Sequence, residues 1–558
     1  MSDLNQLPQP GAACQPAGVN DQQGKEAFVL RFGTATRQAV PTGSVTHAAN
    51  KDLADFPDGL GTYSKGLKQS SPGIAQVESF DQFLKACGVK AGGPLGDFEK
   101  APIQLGGPTK LNGPRGAFAG QLIGTDSAGF GDSVVPPTPA LLAVVPPAPA
   151  LTSVEYAIEL VELYWASLLR DVHFESYPAD ATAQAAAHEL DALNTTNPGK
   201  YAGPLEGGKV TPKVLFRGGL NAKPGWFEGE LVGPYLSQFC VIPTSLGRVP
   251  LDQKIRTFVG GQDFMADPGE WFDIQNGAIP TEALTYDDVH RYMRNGRDTA
   301  AYTQVDQLYQ AYLIAFLVGN SLDLPPNPRS PYATYKNDKP FGTFGGPDVA
   351  ATLAAVARAA INAVWYQKWR VHLRHRPESA GGVIQLLKTG GLSAADAAKL
   401  GNLNIVLNSG ALNLSALRNG GSYLLSQAFP EGAPTHPAYP TGHGTVAGAC
   451  ITVLKFFMDG DAQIAFPVMP SADGLTLEPY PGPGRLTVNG ELHKLAHNVS
   501  FGHGIHAGIH WRSDTDYSIL LGEAVAIQYL EDQMYSYQED FDVRIKKIDG
   551  TMHRFKNF

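Results

Sequence analysis

Residues 436–457 read HPAYPTGHGTVAGACITVLKFF. Two histidines, His436 and His443, flank a Pro-Thr-Gly turn, and an apolar run of small residues follows at once. Pro440 can end an extended segment, Thr441 can cap a helix start, and Gly442 lets an anion come close to the backbone. The free N–H groups of a first helical turn, with the positive end of the helix dipole, favour an anion. His443 beside them can exchange protons with whatever is held there. The plainer reading makes Thr441 a simple cap and His443 a satisfied core histidine, and this stretch alone does not separate the two.

Around it, helical periodicity dominates the chain. TSVEYAIELVELYWASLLRD (152–171) has Thr152 three residues before Glu155, a capping-box pattern, followed by an apolar stripe of Ile158, Val161, Trp165 and Leu168. Residues 297–319 form a second long helical pattern. Residues 347–375 form a third, starting with proline and stopping before Arg376-Pro377. Further helices are expected from near Thr441, over about 490–503 and over 515–537. The tail 541–558 alternates around Asp549-Gly550 as a hairpin would. The fold class is therefore mostly α, built from packed helical bundles. Residues 1–50 are expected to be a mobile arm. Residues 51–290 are expected to hold wrapping segments and a first bundle, with Gly/Pro-rich loops over 90–150. Residues 291–558 are expected to hold a second bundle that carries the site.

Composition narrows the function. The chain has 558 residues, 43% apolar and 17% charged, with a net charge of −10. The acidic balance argues against a nucleic-acid partner, but leaves room for a local cationic pocket. So few charges on so long a chain suggest surface buried between subunits. The four cysteines, Cys14, Cys87, Cys240 and Cys450, are scattered with no CxxC pair, so neither a zinc ribbon nor a disulfide scaffold is expected. The first residues lack the charged and apolar regions of a conventional signal peptide, and no apolar stretch of membrane length stands out. The default expectation is a soluble, cytoplasmic protein.

Nine of the fourteen histidines lie between His372 and His510. With them lie two cationic segments, KWRVHLRHRPE (368–378) and HKLAHNVSFGHGIHAGIHWRSD (493–514). Lys368 and Arg376 would stand roughly 12 Å apart along a continuous helix. The proline after Arg376 ends the helix, so that side chain can turn back. At His510–Asp514 a carboxylate one helical turn away can orient an imidazole, as it does behind a metal ligand. Singly, these features also fit a solvated basic helix end and a surface His–Asp pair.

The order K-x7-RP (Lys368 to Pro377), then P-T-G-H (Pro440 to His443), then a His-rich segment ending in HxxxD, resembles the vanadium-dependent haloperoxidases, which share their fold and anion site with a class of acid phosphatases. Thr441 stands where the family commonly has serine. His436, five residues before it, is similar to the bromoperoxidases of red algae and cyanobacteria, as are ELYWASLLRDVHF, GPYLSQF, EWFDIQNGA, RYMRNGRD, GTFGGP and AVWYQKW. The resemblance covers the chain from about residue 50 onward. It implies two four-helix bundles per subunit and a vanadate cofactor, with phosphate as a competing anion. Lys368, Arg376, Thr441 and the Gly442 N–H would bind its oxygens, and His510 would be the single metal ligand, oriented by Asp514. His443 would serve as acid–base, with the metal acting as a Lewis acid on hydrogen peroxide. His436 would tune the halide region, with bromide and iodide oxidised more readily than chloride and organic acceptors halogenated. A homo-oligomer is implied, dimer-based, as a hexamer or dodecamer. Two other readings share the pocket. One is a phosphohydrolase in which His510 attacks phosphorus and His443 protonates the leaving group; the other is a non-catalytic oligomer that binds oxyanions.

One departure stands out. The family carries an arginine about six residues before the metal-binding histidine, and here no arginine lies between Arg485 and Arg512. Aligning on HNVSFG puts His503 in its place, with one residue inserted afterwards. A neutral imidazole neutralises less oxyanion charge than a guanidinium and offers no bidentate fork; protonated, it would substitute in part. Arg374, Arg512 and His506 are the residues that could compensate.

Overall fold

The computed structural model describes residues 24–26, 28–29, 32, 48–93, 95–99, 103–118, 145–482 and 485–557. The arm expected over 1–50 lies almost wholly outside them, as does Cys14. Ten helices position the site: α1 (Val154–Leu168), α2 (Ala181–Thr196), α3 (Gly296–Gln304), α4 (Gln310–Ser321), α5 (Gly346–Tyr366), α6 (Pro377–Thr389), α7 (Gly410–Arg418), α8 (Gly442–Phe457), α9 (Val488–Phe501) and α10 (Arg512–Gln533). The described strands pair only as short antiparallel two-stranded ribbons. The last of these is the expected C-terminal hairpin, β1 (Asp542–Lys546) with β2 (Met552–Lys556), turning at Gly550 with φ +81°.

The helices form two groups. In one, α1 packs with α2, α7 and the short helix Asn404–Leu407, and touches α6. In the other, α8 is the centre, packed by α5, α9 and α10. One buried cluster, from Phe56 to Phe555, runs through both groups. The small residues of the opening stretch explain how tightly α8 and α10 pack. A Cβ on Gly448 would fall 1.9 Å from the Ile519 carbonyl oxygen, and one on Gly522 would fall 2.0 Å from that of Thr445. Only glycine lets two backbones approach this closely.

Four details differ from the sequence expectations. The cap of α1 is Ser153, whose hydroxyl accepts from the Tyr156 N–H, not Thr152. The single helix expected over 297–319 is two, α3 and α4, broken at 305–309. The helix from 347 ends early. After α5 comes a π-helical turn, Gln367–His372, and Leu373 at φ +46° turns the chain, so 374–376 is not helical. Finally, Gly346–His372 is long and apolar enough to cross a membrane by length and composition alone. Its alanine-rich sequence hid that length; the helix packs against α8 and α10.

The inner helices also bury a charged triad. His497 of α9 lies between Glu230 and Asp516, each 3.3 Å away. Burial alone would lower its pKa, but the Glu230 charge and the bonds to both carboxylates raise it to about 9. A histidine whose pKa rises on folding stabilises the fold fully below its unfolded value of about 6.5, and that contribution is gone above about 9. Urea unfolding across this window should show a loss on the order of 3 kcal/mol. His497→Gln should flatten that alkaline limb.

Candidate functional site: a buried anion pocket

The π turn after α5 places Lys368 inward, fully buried, with Nζ donating to the carbonyls of Pro437 (2.8 Å) and Ala438 (2.6 Å). Burial, with the Arg376 charge, holds its ammonium well below the usual lysine range. Arg376 is the N-cap residue of α6. Its Nε donates to the His436 carbonyl (2.9 Å), and Nη1 donates to the Ile509 carbonyl (2.8 Å) and to His510 Nε2 (2.7 Å). Nη2 lies 2.9 Å from His436 Nδ1. Burial brings its pKa down to about 10. The loop that carries His436 is fixed from behind by Glu378, which accepts from the Ala433 N–H (2.7 Å) and pairs with buried Lys65 (2.7 Å).

α8 begins where the opening stretch predicted. Thr441 is its N-cap, yet its hydroxyl makes no capping bond and is buried without any partner. Its backbone N–H donates instead to the Asp514 carbonyl (3.1 Å). Two residues on, His443 Nε2 lies 2.9 Å from Asp306 Oδ1. Its ring stacks on that of His503, centroids 3.7 Å apart. His503 in turn lies 5.8 Å from the His510 ring, and its Nδ1 has no partner. Burial, then the neighbouring His443, His510 and Arg376, keep the His503 pKa well below the usual histidine range.

His510 is held at both ring nitrogens. Asp514 Oδ2 lies 2.8 Å from Nδ1, and Arg376 approaches Nε2. Since a guanidinium can only donate, Nδ1 carries the proton and Nε2 presents its lone pair, the tautomer of a metal ligand backed by a carboxylate. Burial and the surrounding cations keep the ring neutral. Asp514 also accepts from the Trp511 N–H (3.1 Å) at the start of α10, and its Oδ1 pairs with Arg374 Nη1 (2.7 Å).

The three residues that could compensate for the missing arginine are bound elsewhere. Arg374 bridges Asp514 and Glu159, Arg512 is bidentate to Glu162, and His506 Nε2 meets the Tyr235 hydroxyl. A π-helical turn, Gly502–His506, lies between α9 and His510, and a wider turn of this kind is where a helix accommodates one added residue.

Bonds and ring contacts link eight of the residues singled out from the sequence, Arg376, His436, Thr441, Gly442, His443, His503, His510 and Asp514, and Lys368 joins them through the Pro437 and Ala438 carbonyls beside His436. Three neighbours were missed. Asp306 was read as a helix-interior position. Arg374 was read only as a stand-in cation. Trp365 sits one helical turn before Lys368, a spacing that could have flagged it; its ring is 4.9 Å from that of His436 and borders Gly442. The donor set suits an oxyanion that also takes one nitrogen ligand. It combines two buried cations, a helix N-terminus, a buried hydroxyl with no partner and an imidazole lone pair, while the Asp514 and Asp306 carboxylates are turned to other partners.

A helical bundle built around this donor set suits a protein that binds an oxyanion. Comparison with known proteins narrows this. Residues 348–539 match the family model of the VCPO second helical-bundle domain. The chain is 33% identical to a vanadium-dependent bromoperoxidase of Ascophyllum nodosum, across 97% of this chain and 93% of that one. It is 32% identical to the vanadium-dependent bromoperoxidase of Corallina officinalis, across 96% and 99%. The homohexameric structure of the second vanadate-dependent bromoperoxidase of Ascophyllum nodosum superposes with a TM-score of 0.81 at 26% identity, covering 99% of this chain and 96% of that one. The chain belongs to the vanadium-dependent haloperoxidases, in their bromoperoxidase subgroup.

Proposed function

We propose that the protein is a vanadate-dependent bromoperoxidase, using hydrogen peroxide to oxidise bromide or iodide to a hypohalous-acid equivalent that halogenates small organic acceptors. The observation that carries this reading is the tautomer of His510, fixed by Asp514, whose own carbonyl accepts from the N–H of Thr441, a residue with a buried, unpartnered hydroxyl. Lys368, Arg376, the Thr441 hydroxyl, the Gly442 N–H and His503 would hold the oxygens of vanadate, and His510 Nε2 would be the metal ligand. Bound vanadium(V) supplies a Lewis acid that makes peroxide electrophilic toward halide. His443, with Nε2 engaged by Asp306, takes up and returns a proton at Nδ1. His436, packed between Arg376 and Trp365, borders the halide region. Phosphate, a tetrahedral oxyanion, competes for the same donors. Like its hexameric relative, the protein assembles as a homo-oligomer, which light scattering would reveal as a particle well above 59.5 kDa.

The test is peroxide-dependent bromination of a dimedone-type acceptor while the apo-protein is titrated with orthovanadate, with and without phosphate. Saturable activation, relieved by phosphate, supports the reading; its absence at every vanadate level overturns it. His503→Arg is expected to tighten vanadate binding by tenfold or more, since a charge-assisted hydrogen bond contributes about 1.5–3 kcal/mol. Equilibrium dialysis of orthovanadate against the two proteins measures this without reference to turnover.

A further inference from the structure

Trp365 is an indole at the border of the site. It is half-buried, its ring centroid is 4.9 Å from that of His436, and Lys368 Nζ lies 5.9 Å from its centre. A Cβ on Gly442 would meet its Cζ3 at 3.3 Å. One indole therefore borders three residues assigned above to the anion pocket. No role in binding or proton transfer has been given to it, but its chemistry is conspicuous where an electrophilic halogen is released.

We propose that Trp365 is a self-modification site, the indole that intercepts hypobromous acid before it leaves the pocket. This rests on the bromoperoxidase reading above. Two outcomes balance. In substitution, C2 bonds to bromine, the O–Br bond breaks with its electrons on oxygen, and the displaced ring proton joins that oxygen as water. In oxidation, bromine adds at C3, water adds at C2 and bromide departs with a proton, leaving an oxindole; the ring loses two electrons and the bromine gains them.

Among the described residues the cysteines and four of the other tryptophans are covered, while the exposed Met552 thioether is a competing trap to be followed in the same digest. Cys87, Cys240 and Cys450 are buried, and burial raises all three thiols, so the reactive thiolate is suppressed. Trp165, Trp271, Trp369 and Trp511 are buried as well. Trp226 is half-buried like Trp365, but its neighbour is Lys223, 5.6 Å from its ring, so it serves as an internal control.

The experiment uses full-length protein loaded with orthovanadate and turned over with peroxide, bromide and a limiting dimedone-type acceptor. Tandem mass spectrometry of the tryptic peptide 359–368 then separates Trp365 from its neighbour Tyr366. A parallel sample without vanadate receives hypobromous acid from outside. Expected is preferential bromination or oxidation of Trp365 during turnover, with its excess over Trp226 several-fold larger than under the added reagent. An unmodified Trp365 while the acceptor is brominated, or equal marking of the two residues, overturns the inference and leaves the functional reading intact. Failure to brominate the acceptor overturns both. Trp365→Phe should also undergo several-fold more turnovers before losing half of its own starting activity; an unchanged or shorter life counts against the proposal.

Discussion

His510→Ala is expected to reduce vanadate-dependent bromination to background while leaving the protein folded. The imidazole is the proposed metal ligand and is held by an acceptor on one side and a donor on the other. Removing it takes away the nitrogen ligand and leaves Arg376 Nη1 one bond short. Arg376 keeps its bonds to the Ile509 and His436 carbonyls, and Asp514 keeps those to Arg374 and the Trp511 N–H. The fold should therefore lose only about 1–3 kcal/mol, the usual cost of an unmet buried partner. Circular dichroism and a bromination assay on the same preparation check the two halves of the expectation. Activity that survives substitution at His510 would show that the ligand has been assigned wrongly.

The second large effect is expected at Arg374, whose guanidinium is taken up by Asp514 and Glu159. Its guanidinium lies buried between Asp514 (2.7 Å) and Glu159 (3.2 Å) and is 4.6 Å from the centre of the Trp511 ring. Its carbonyl accepts from the Ala438 N–H, and Asp514 returns a carbonyl to the Thr441 N–H. Three separate segments of the site therefore converge on this ion pair. Arg374→Met should destabilise the protein by about 3–5 kcal/mol, the cost of leaving a buried charge without its partner. Burial already raises the Glu159 pKa to about 7, against the pull of Arg374. Adding Glu159→Gln should accordingly recover a measurable part of the loss, because one of the two stranded carboxylates is gone. Urea unfolding of the single and double variants measures the stability. Orthovanadate dialysis on the double variant reports whether His510 is still presented correctly; a weakened affinity in a folded protein marks Arg374 as a positioning residue.

Much of the pocket could be read from the chain because its contributors are local patterns. A hydroxyl and a glycine at a helix start, a carboxylate four residues after a histidine and a proline behind an arginine each encode their geometry within a few residues. What could not be read depends on contacts between distant segments. The break at 305–309 has neither proline nor glycine, so periodicity ran straight through it; its Asp306 meets His443, which lies far along the chain. The same limit applies to Arg374, which looked like a free cation until Glu159 of α1 was found facing it. Thr152 and Ser153 differ by one position, and both offer a hydroxyl, so only the traced backbone picks the true cap.

The π turn at Gly502–His506 has a consequence for how such pockets diverge. An inserted residue in a regular helix would swing everything beyond it to a new face, carrying the ligand histidine out of line. Here the chain passes through a single widened turn before His510, which reaches both Arg376 and Asp514. The stretch bearing His503 can therefore change in length and in side chain while the metal-facing end keeps its register.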